Sequence, residues 1–171
     1  MGLVLGIDPS VASSGFAFVE DTQIVDLGTI VTDSKSTETE RLDIIYNEVK
    51  AKCTMYKPEV AVMEDQFVGP NPQTSLYLAR ARGVAMLACH HAGVPVVLYT
   101  PSEIKKAMTG KGNAKKELVQ SEAVEQYKHN PCIQVIFGNG IKKSGKKKND
   151  DISDALAAVH THVTLQSGRS A

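Results

Sequence analysis

Apolar positions come first in short runs and later in longer stripes. LVLGID (3–8) is rich in strand formers and ends at Asp8-Pro9, GFAFVE (15–20) alternates apolar and small residues, and TQIVDLGTIVT (22–32) reads as a third strand. Such short connections favour an antiparallel meander. Over 38–57 the apolar residues Leu42, Ile45, Val49 and Cys53 recur at helical spacing until Lys57-Pro58 ends the run. VAVME (60–64), apolar almost throughout, predicts a buried strand, and a Gly69-Pro70-Asn71-Pro72 turn leads into a helix over 73–92 closed by Gly93. VPVVLYT predicts a fifth strand. Two shorter helices follow, near 101–108 and 114–128, around the break Gly110-Lys111-Gly112. Residues 129–149 read as irregular and lysine-rich, and a last helix runs from Asp150 to about Leu165. A meander followed by alternating strands and helices gives an α/β class with a five-stranded mixed sheet flanked by helices.

Composition narrows this picture to one ordinary globular domain, residues 1–171, with 42% hydrophobic and 22% charged residues. That excludes a disordered polyelectrolyte and a collagen-like fibre. No apolar run approaches the roughly 18 residues of a membrane span, so no membrane partner is expected. MGLVLGIDP carries no basic n-region, and Gly6 stands where a myristoylation signal wants Ser or Thr. Cys53, Cys89 and Cys132 are widely spaced and odd in number, which argues against a disulfide framework and for a reducing, cytoplasmic compartment.

The formal charge of zero conceals a division. Residues 1–70 hold 5 Lys/Arg against 12 Asp/Glu, net −7, while 71–171 hold 14 against 7, net +7. Such segregation predicts an anionic partner met mainly by the second half. Yet Asp150, Asp151 and Asp154 crowd directly behind the run KKSGKKK. Asp8 ends the first strand and Glu64 the fourth, so the two emerge together if those strands are neighbours. Asp151 and Asp154, three apart, share a helix face. Four converging carboxylates raise one another's pKa unless cations join them. Hard oxygen donors of this kind suit Mg²⁺ or Mn²⁺, and two such ions can clamp both oxygens of a phosphodiester displacement. Each acid alone has an ordinary explanation: a strand-end Asp is a common turn residue, and acids favour helix starts.

GIDPSVASSG, VMEDQF, TGKGNAKK and DDISDALAAVHTH resemble, in order and spacing, the motifs of RuvC Holliday-junction resolvases, over residues 1 to about 165. The resemblance implies an RNase H-like fold, a homodimer, and symmetric nicking of four-way DNA junctions with two metal ions, Mg²⁺ or Mn²⁺, per site. It implies metal ligation by Asp8, Glu64, Asp151 and Asp154, and catalysis by these four with Lys116. Lys105 and Lys116 match the family's lysines on either side of the G-x-G turn, and Phe67 an aromatic near the junction's bases. Asp150 adds an acid beside the expected pair and is a further candidate ligand. Pro9-Ser10 replaces a common Pro-Gly, and the stretch before the last helix is long, which leaves a phage-encoded member open beside a bacterial one.

TGKGNAKK lacks the Lys-Ser/Thr pair of a nucleotide-binding loop, so no nucleotide cofactor is expected. Its glycines would let backbone approach a phosphate, with Asn113 capping a helix that carries Lys115 and Lys116; a plain capped turn is the alternative. DNA contacts are expected from Lys111, Lys115 and Lys116, with Lys105. A further set comes from Lys142, Lys143, Lys146, Lys147 and Lys148, where a solvated loop is the alternative. Arg80 and Arg82 suit DNA, a partner subunit or solvent. His160 and His162 read as packing or surface histidines, and Tyr77 with Leu76, Val84 and Leu87 as core or dimer interface. Three functions remain in view: an endonuclease for branched DNA, a nuclease of the same fold acting on structured RNA, and a junction-binding module without catalysis. A two-domain ATP-binding fold does not fit into 171 residues.

Overall fold

The computed structural model describes residues 2–65, 72–138 and 149–168. Within them, five strands form one sheet in the order β3-β2-β1-β4-β5. The strands are β1 (Val4–Asp8), β2 (Ser13–Glu20), β3 (Gln23–Val31), β4 (Val60–Glu64) and β5 (Val96–Tyr99). The first three make the expected antiparallel meander, whereas β4 runs parallel to β1 and β5 parallel to β4. The β2–β3 hairpin turns on Asp21 and Thr22, both at positive φ, the hand that matches strand twist in two-residue turns.

Alternation along the strands divides the core into two. Leu5, Ile7, Phe16, Phe18, Ala61 and Met63 face α1 (Glu38–Tyr56) and α2 (Pro72–His91). Val4, Ala17, Val19, Val60 and Val62 face the other helices: α3 (Pro101–Thr109), α4 (Lys116–Gln126), α5 (Pro131–Phe137) and α6 (Asp150–Ser167). Period-two alternation places Gly6 and Asp8 of β1, Gly15 of β2 and Glu64 of β4 on this second face.

Helix ends follow sequence chemistry. Thr37 with Glu40 and Thr100 with Glu103 form reciprocal capping boxes at the starts of α1 and α3. Lys57 closes α1 in the left-handed conformation, just ahead of Pro58.

Two expectations need correction. The stretch 129–149 is not irregular throughout, because α5 lies within it. Asn130 caps α5 by accepting from the Cys132 N–H at 2.9 Å, Pro131 opens it, and Ile133 and Phe137, four apart, bury one face. Seven residues carry too few repeats for a periodicity to stand out. Nor does Asn113 cap α4: Lys115 holds that position, without a side-chain hydrogen bond.

Candidate metal centre

β1 and β4 run side by side in parallel, with Ile7 opposite Met63 as their last pair. Asp8 and Glu64 are the next residues on each, so two carboxylates leave the same end of adjacent strands on the same face. On the other side of β1, Asp8 pairs with Gly15 of β2. That glycine sets the site. A Cβ on Gly15 would lie 2.0 Å from the Asp151 carbonyl oxygen, and one on Gly6 would lie 2.2 Å from that of Ala155. The backbone of α6 therefore rests directly on β1 and β2, at a distance no side chain allows. Asp151 and Asp154, on its first turns, are lowered onto Asp8.

The electrostatics record this convergence. Asp8 keeps some contact with solvent, but desolvation by the surrounding chain pushes its carboxyl up to about 8, and Asp154, Asp151 and Glu64 add to the rise against the opposing pull of Lys116. Desolvation also raises Asp151, helped by Asp154 and opposed by a hydrogen bond from Ser13. Asp151 is among the leading charges acting on Asp8, and Asp150 acts on Asp151 and Lys116. Asp151 therefore lies within electrostatic reach of the strand carboxylate.

Lys116, at the start of α4, places its ammonium 2.7 Å from Asp154 Oδ2. Desolvation works against its charge, but Asp154, with Asp8 and Asp150 beyond it, holds the pKa above the usual lysine value. Gln120, one turn along α4, donates from Nε2 to Asp154 Oδ1 at 3.1 Å. Both oxygens of Asp154 are therefore engaged from one helix.

Among the described residues, no three carboxylates, imidazoles or thiols already surround one point as metal ligands. The donor set nonetheless fits a hard divalent cation. Four acids against one ammonium leave excess negative charge, which adds to the desolvation that raises Asp8. A divalent ion would relieve what Lys116 leaves over.

The remaining sequence candidates are distributed more widely. Lys111 and Lys115 are exposed around the α3–α4 turn and Lys105 lies half-buried on α3, none of them ion-paired with the cluster among the described residues. The glycines of that turn have local reasons: Gly110 closes α3 at φ 75°, and a Cβ on Gly112 would sit 2.7 Å from Ser102 Oγ. Phe67 and Lys142, Lys143, Lys146, Lys147 and Lys148 lie outside the described residues. Arg80 forms a two-pronged bond to Glu38 at 2.8 and 2.9 Å, and Arg82 pairs with Asp65 at 2.9 Å. His162 is buried and shares a 2.8 Å hydrogen bond with the Tyr99 hydroxyl, and burial lowers its pKa and that of His160, which agrees with packing histidines.

Sequence reasoning passed over Gly6, Gly15 and Gln120. A glycine among strand formers signals a close backbone approach, and LVLGID and SSGFAF both carried that signal. Gln120 carried none beyond its place one turn after Lys116.

A family model described as crossover junction endodeoxyribonuclease RuvC matches residues 4–162. Proteins of that description from Ehrlichia ruminantium (strain Welgevonden) and Chloroflexus aggregans are 36% and 39% identical. The matches cover 94% and 93% of this chain and 95% and 91% of theirs. Among solved structures, Thermus thermophilus RuvC superposes with a TM-score of 0.77 at 25% identity, covering 98% of this chain and 96% of that one. T. thermophilus RuvC in complex with Holliday junction substrate gives 0.79 at 24%, covering 99% and 98%. The yeast mitochondrial Holliday junction resolvase Ydc2 gives 0.64 at 16%, covering 98% and 81%, a likeness of fold. The RNase H-like fold implied by the motifs is borne out.

Proposed function

The chain belongs to the RuvC family of crossover junction endodeoxyribonucleases, hydrolases that resolve Holliday junctions, and on that premise we propose that it nicks four-way and other branched DNA symmetrically with the aid of two divalent ions. The observation that carries this reading is the convergence of Asp154, Asp151 and Glu64 on Asp8, whose carboxyl desolvation pushes up to about 8 with their charges adding to the rise. These four residues would hold two Mg²⁺ ions, with Mn²⁺ as a substitute, which supply Lewis-acid stabilisation of the attacking and leaving oxygens. Asp8 and Glu64 provide the rigid side of the site, fixed by strand pairing. Asp151 and Asp154 provide the other, fixed by the seat of α6 on glycine. Lys116 brings positive charge to the rim and would meet the scissile phosphate.

DNA affinity is assigned to Lys105, Lys111 and Lys115, and to the lysine run 142–148, through phosphate contacts that carry no sequence information. Phe67 is assigned to the bases. The preference is therefore for branched shape over base sequence. The whole chain, 1–171, is read as one nuclease domain, cytoplasmic in the bacterial cell.

A labelled four-way junction, a linear duplex and an RNA hairpin, each incubated with the protein in Mg²⁺, test the substrate. Paired nicks confined to the junction are expected. Glu64→Gln and Asp154→Asn should abolish them while the junction is still bound, because affinity comes mostly from cations on phosphates. Preferred cleavage of the hairpin would replace the reading with an RNA nuclease, and binding without nicks would reduce it to a junction-binding module.

Symmetric incision requires two sites related by a two-fold axis, which an isologous dimer provides. The buried face of α2 is Ala81, Ala85, Ala88 and Cys89. Val84 packs against the core, whereas Leu76 is 51% and Leu87 48% exposed and Tyr77 lies exposed beside Arg80. These last three are not core, and the face they form is assigned to the second copy. Leu76→Glu with Leu87→Glu should sediment as a monomer and lose paired nicking. Undiminished paired nicking by that monomer would contradict the assignment.

A further inference from the structure

We propose that Gln120 is a positioning residue for the reaction, holding the Asp154 carboxylate in its metal-ready orientation; the inference rests on the reading of Asp154 as a metal ligand. α4 buries Val119, Gln120, Ala123 and Val124. Three of these are apolar, and Gln120, only 5% exposed, is not. An amide in such a position carries a desolvation cost that a leucine would turn into a gain. What the amide obtains in return is a 3.1 Å hydrogen bond to Asp154 Oδ1. Lys116, four residues earlier on the same face, reaches the other oxygen. Aspartate χ2 is otherwise a broad torsion; two donors from one rigid helix fix it.

The two donors differ in what a cation does to them. Lys116 is charged, on a flexible stem, with its side chain 63% exposed. A divalent ion repels its ammonium and competes for the same oxygen. Gln120 is neutral and buried, so an arriving cation leaves its hydrogen bond in place. With a cation bound, Gln120 would keep the carboxylate plane while Lys116 would be free to leave Oδ2. Partners of this kind orient metal ligands, and their loss typically costs 10–100-fold in metal affinity or activity.

The test uses Gln120→Met, close in length and volume but without the donor. Mn²⁺ binding to the DNA-free protein, followed by the paramagnetic resonance of free Mn²⁺, should weaken about tenfold. The Mg²⁺ concentration for half-maximal nicking should rise by a similar factor, with KM for the junction unchanged at saturating Mg²⁺. Tm should hold or rise, since an apolar side chain replaces a buried amide. Val124→Ala, on the same buried face, is the packing control: it should lower Tm and leave Mn²⁺ affinity alone. Parent-like Mn²⁺ affinity in Gln120→Met, or an equal loss in Val124→Ala, would overturn the proposal. Asp154→Asn separates the two levels. If it binds Mn²⁺ as the parent does, the metal-site reading fails and takes this inference with it. If it loses Mn²⁺ while Gln120→Met does not, the positioning role alone fails.

Discussion

In EDTA at pH 8, Asp8→Asn is expected to melt at a higher temperature than the parent protein, although in Mg²⁺ it should nick no junction. The gain follows from the sign of the Asp8 shift. The folded chain holds this proton up to about pH 8, against 3.8 for an ordinary aspartate. Between those values the native state binds more protons than the unfolded one, so stability falls as pH rises. The contribution is fully present below pH 3.8 and is lost as pH climbs through about 8. Each pKa unit corresponds to about 1.4 kcal/mol, so ionising Asp8 without a cation costs the fold several kcal/mol. Asparagine cannot ionise and escapes that cost. For a chain of this size 1 kcal/mol moves Tm by roughly 2–4 °C, and a rise of at least about 4 °C is expected from a part of the effect. At pH 5 the difference should shrink, because the parent is then protonated at Asp8. Saturating Mg²⁺ should shrink it also, by stabilising the parent. Equal melting temperatures at pH 8 in EDTA, or a difference unaltered by pH, would remove the account of a desolvated Asp8 carboxyl beside other acids. Loss of nicking with gain of stability is the pattern of a residue retained for chemistry at the expense of the fold.

Gly15→Ala is expected to fail in the opposite manner, losing stability and activity together. The added methyl would lie 2.0 Å from the Asp151 carbonyl oxygen, inside the closest approach that real Cβ atoms show. Backbone of a helix cannot rotate out of the way as a side chain tip does, so the start of α6 must retreat by about 1 Å. Overpacking of this kind costs typically 1–3 kcal/mol. A displacement of about 1 Å between groups that act together costs on the order of a hundredfold in rate. Both Asp151 and Asp154 move with the helix, while Asp8 and Glu64 stay with the sheet. Melting in EDTA and junction nicking in Mg²⁺ measure the two losses. Nicking within about threefold of the parent would show that the seat of α6 on β2 does not govern the spacing.

The Asp8 variant marks where the sequence sufficed, and the Gly15 variant where it did not. Strand and helix order, the antiparallel meander and the acids at strand ends were legible, because alternation and helical spacing are local properties of long elements. Asp8 and Glu64 could be paired on the condition that their strands were neighbours, and the β3-β2-β1-β4-β5 order met it. The motifs implied the fold and the four acids, since their spacing along the chain survives divergence. Where the pattern was short or the signal non-local, the sequence was silent or misleading. α5 spans seven residues and hid within a lysine-rich stretch. Asn113 looked like a cap because such residues favour that position, yet Lys115 holds it, without a side-chain hydrogen bond. Leu76, Tyr77 and Leu87 could be core or interface until tertiary packing turned Ala81, Ala85 and Ala88 inward instead. The sequence by itself determined which carboxylates were available and on which elements they ride. Only the tertiary structure decided that α6 lies on Gly6 and Gly15, that Asp151 and Asp154 act on Asp8, and that Gln120 and Lys116 share Asp154. The reason is physical: a residue's periodicity is written in its neighbours along the chain, whereas the approach of two backbones depends on which side chain is missing between elements distant in sequence.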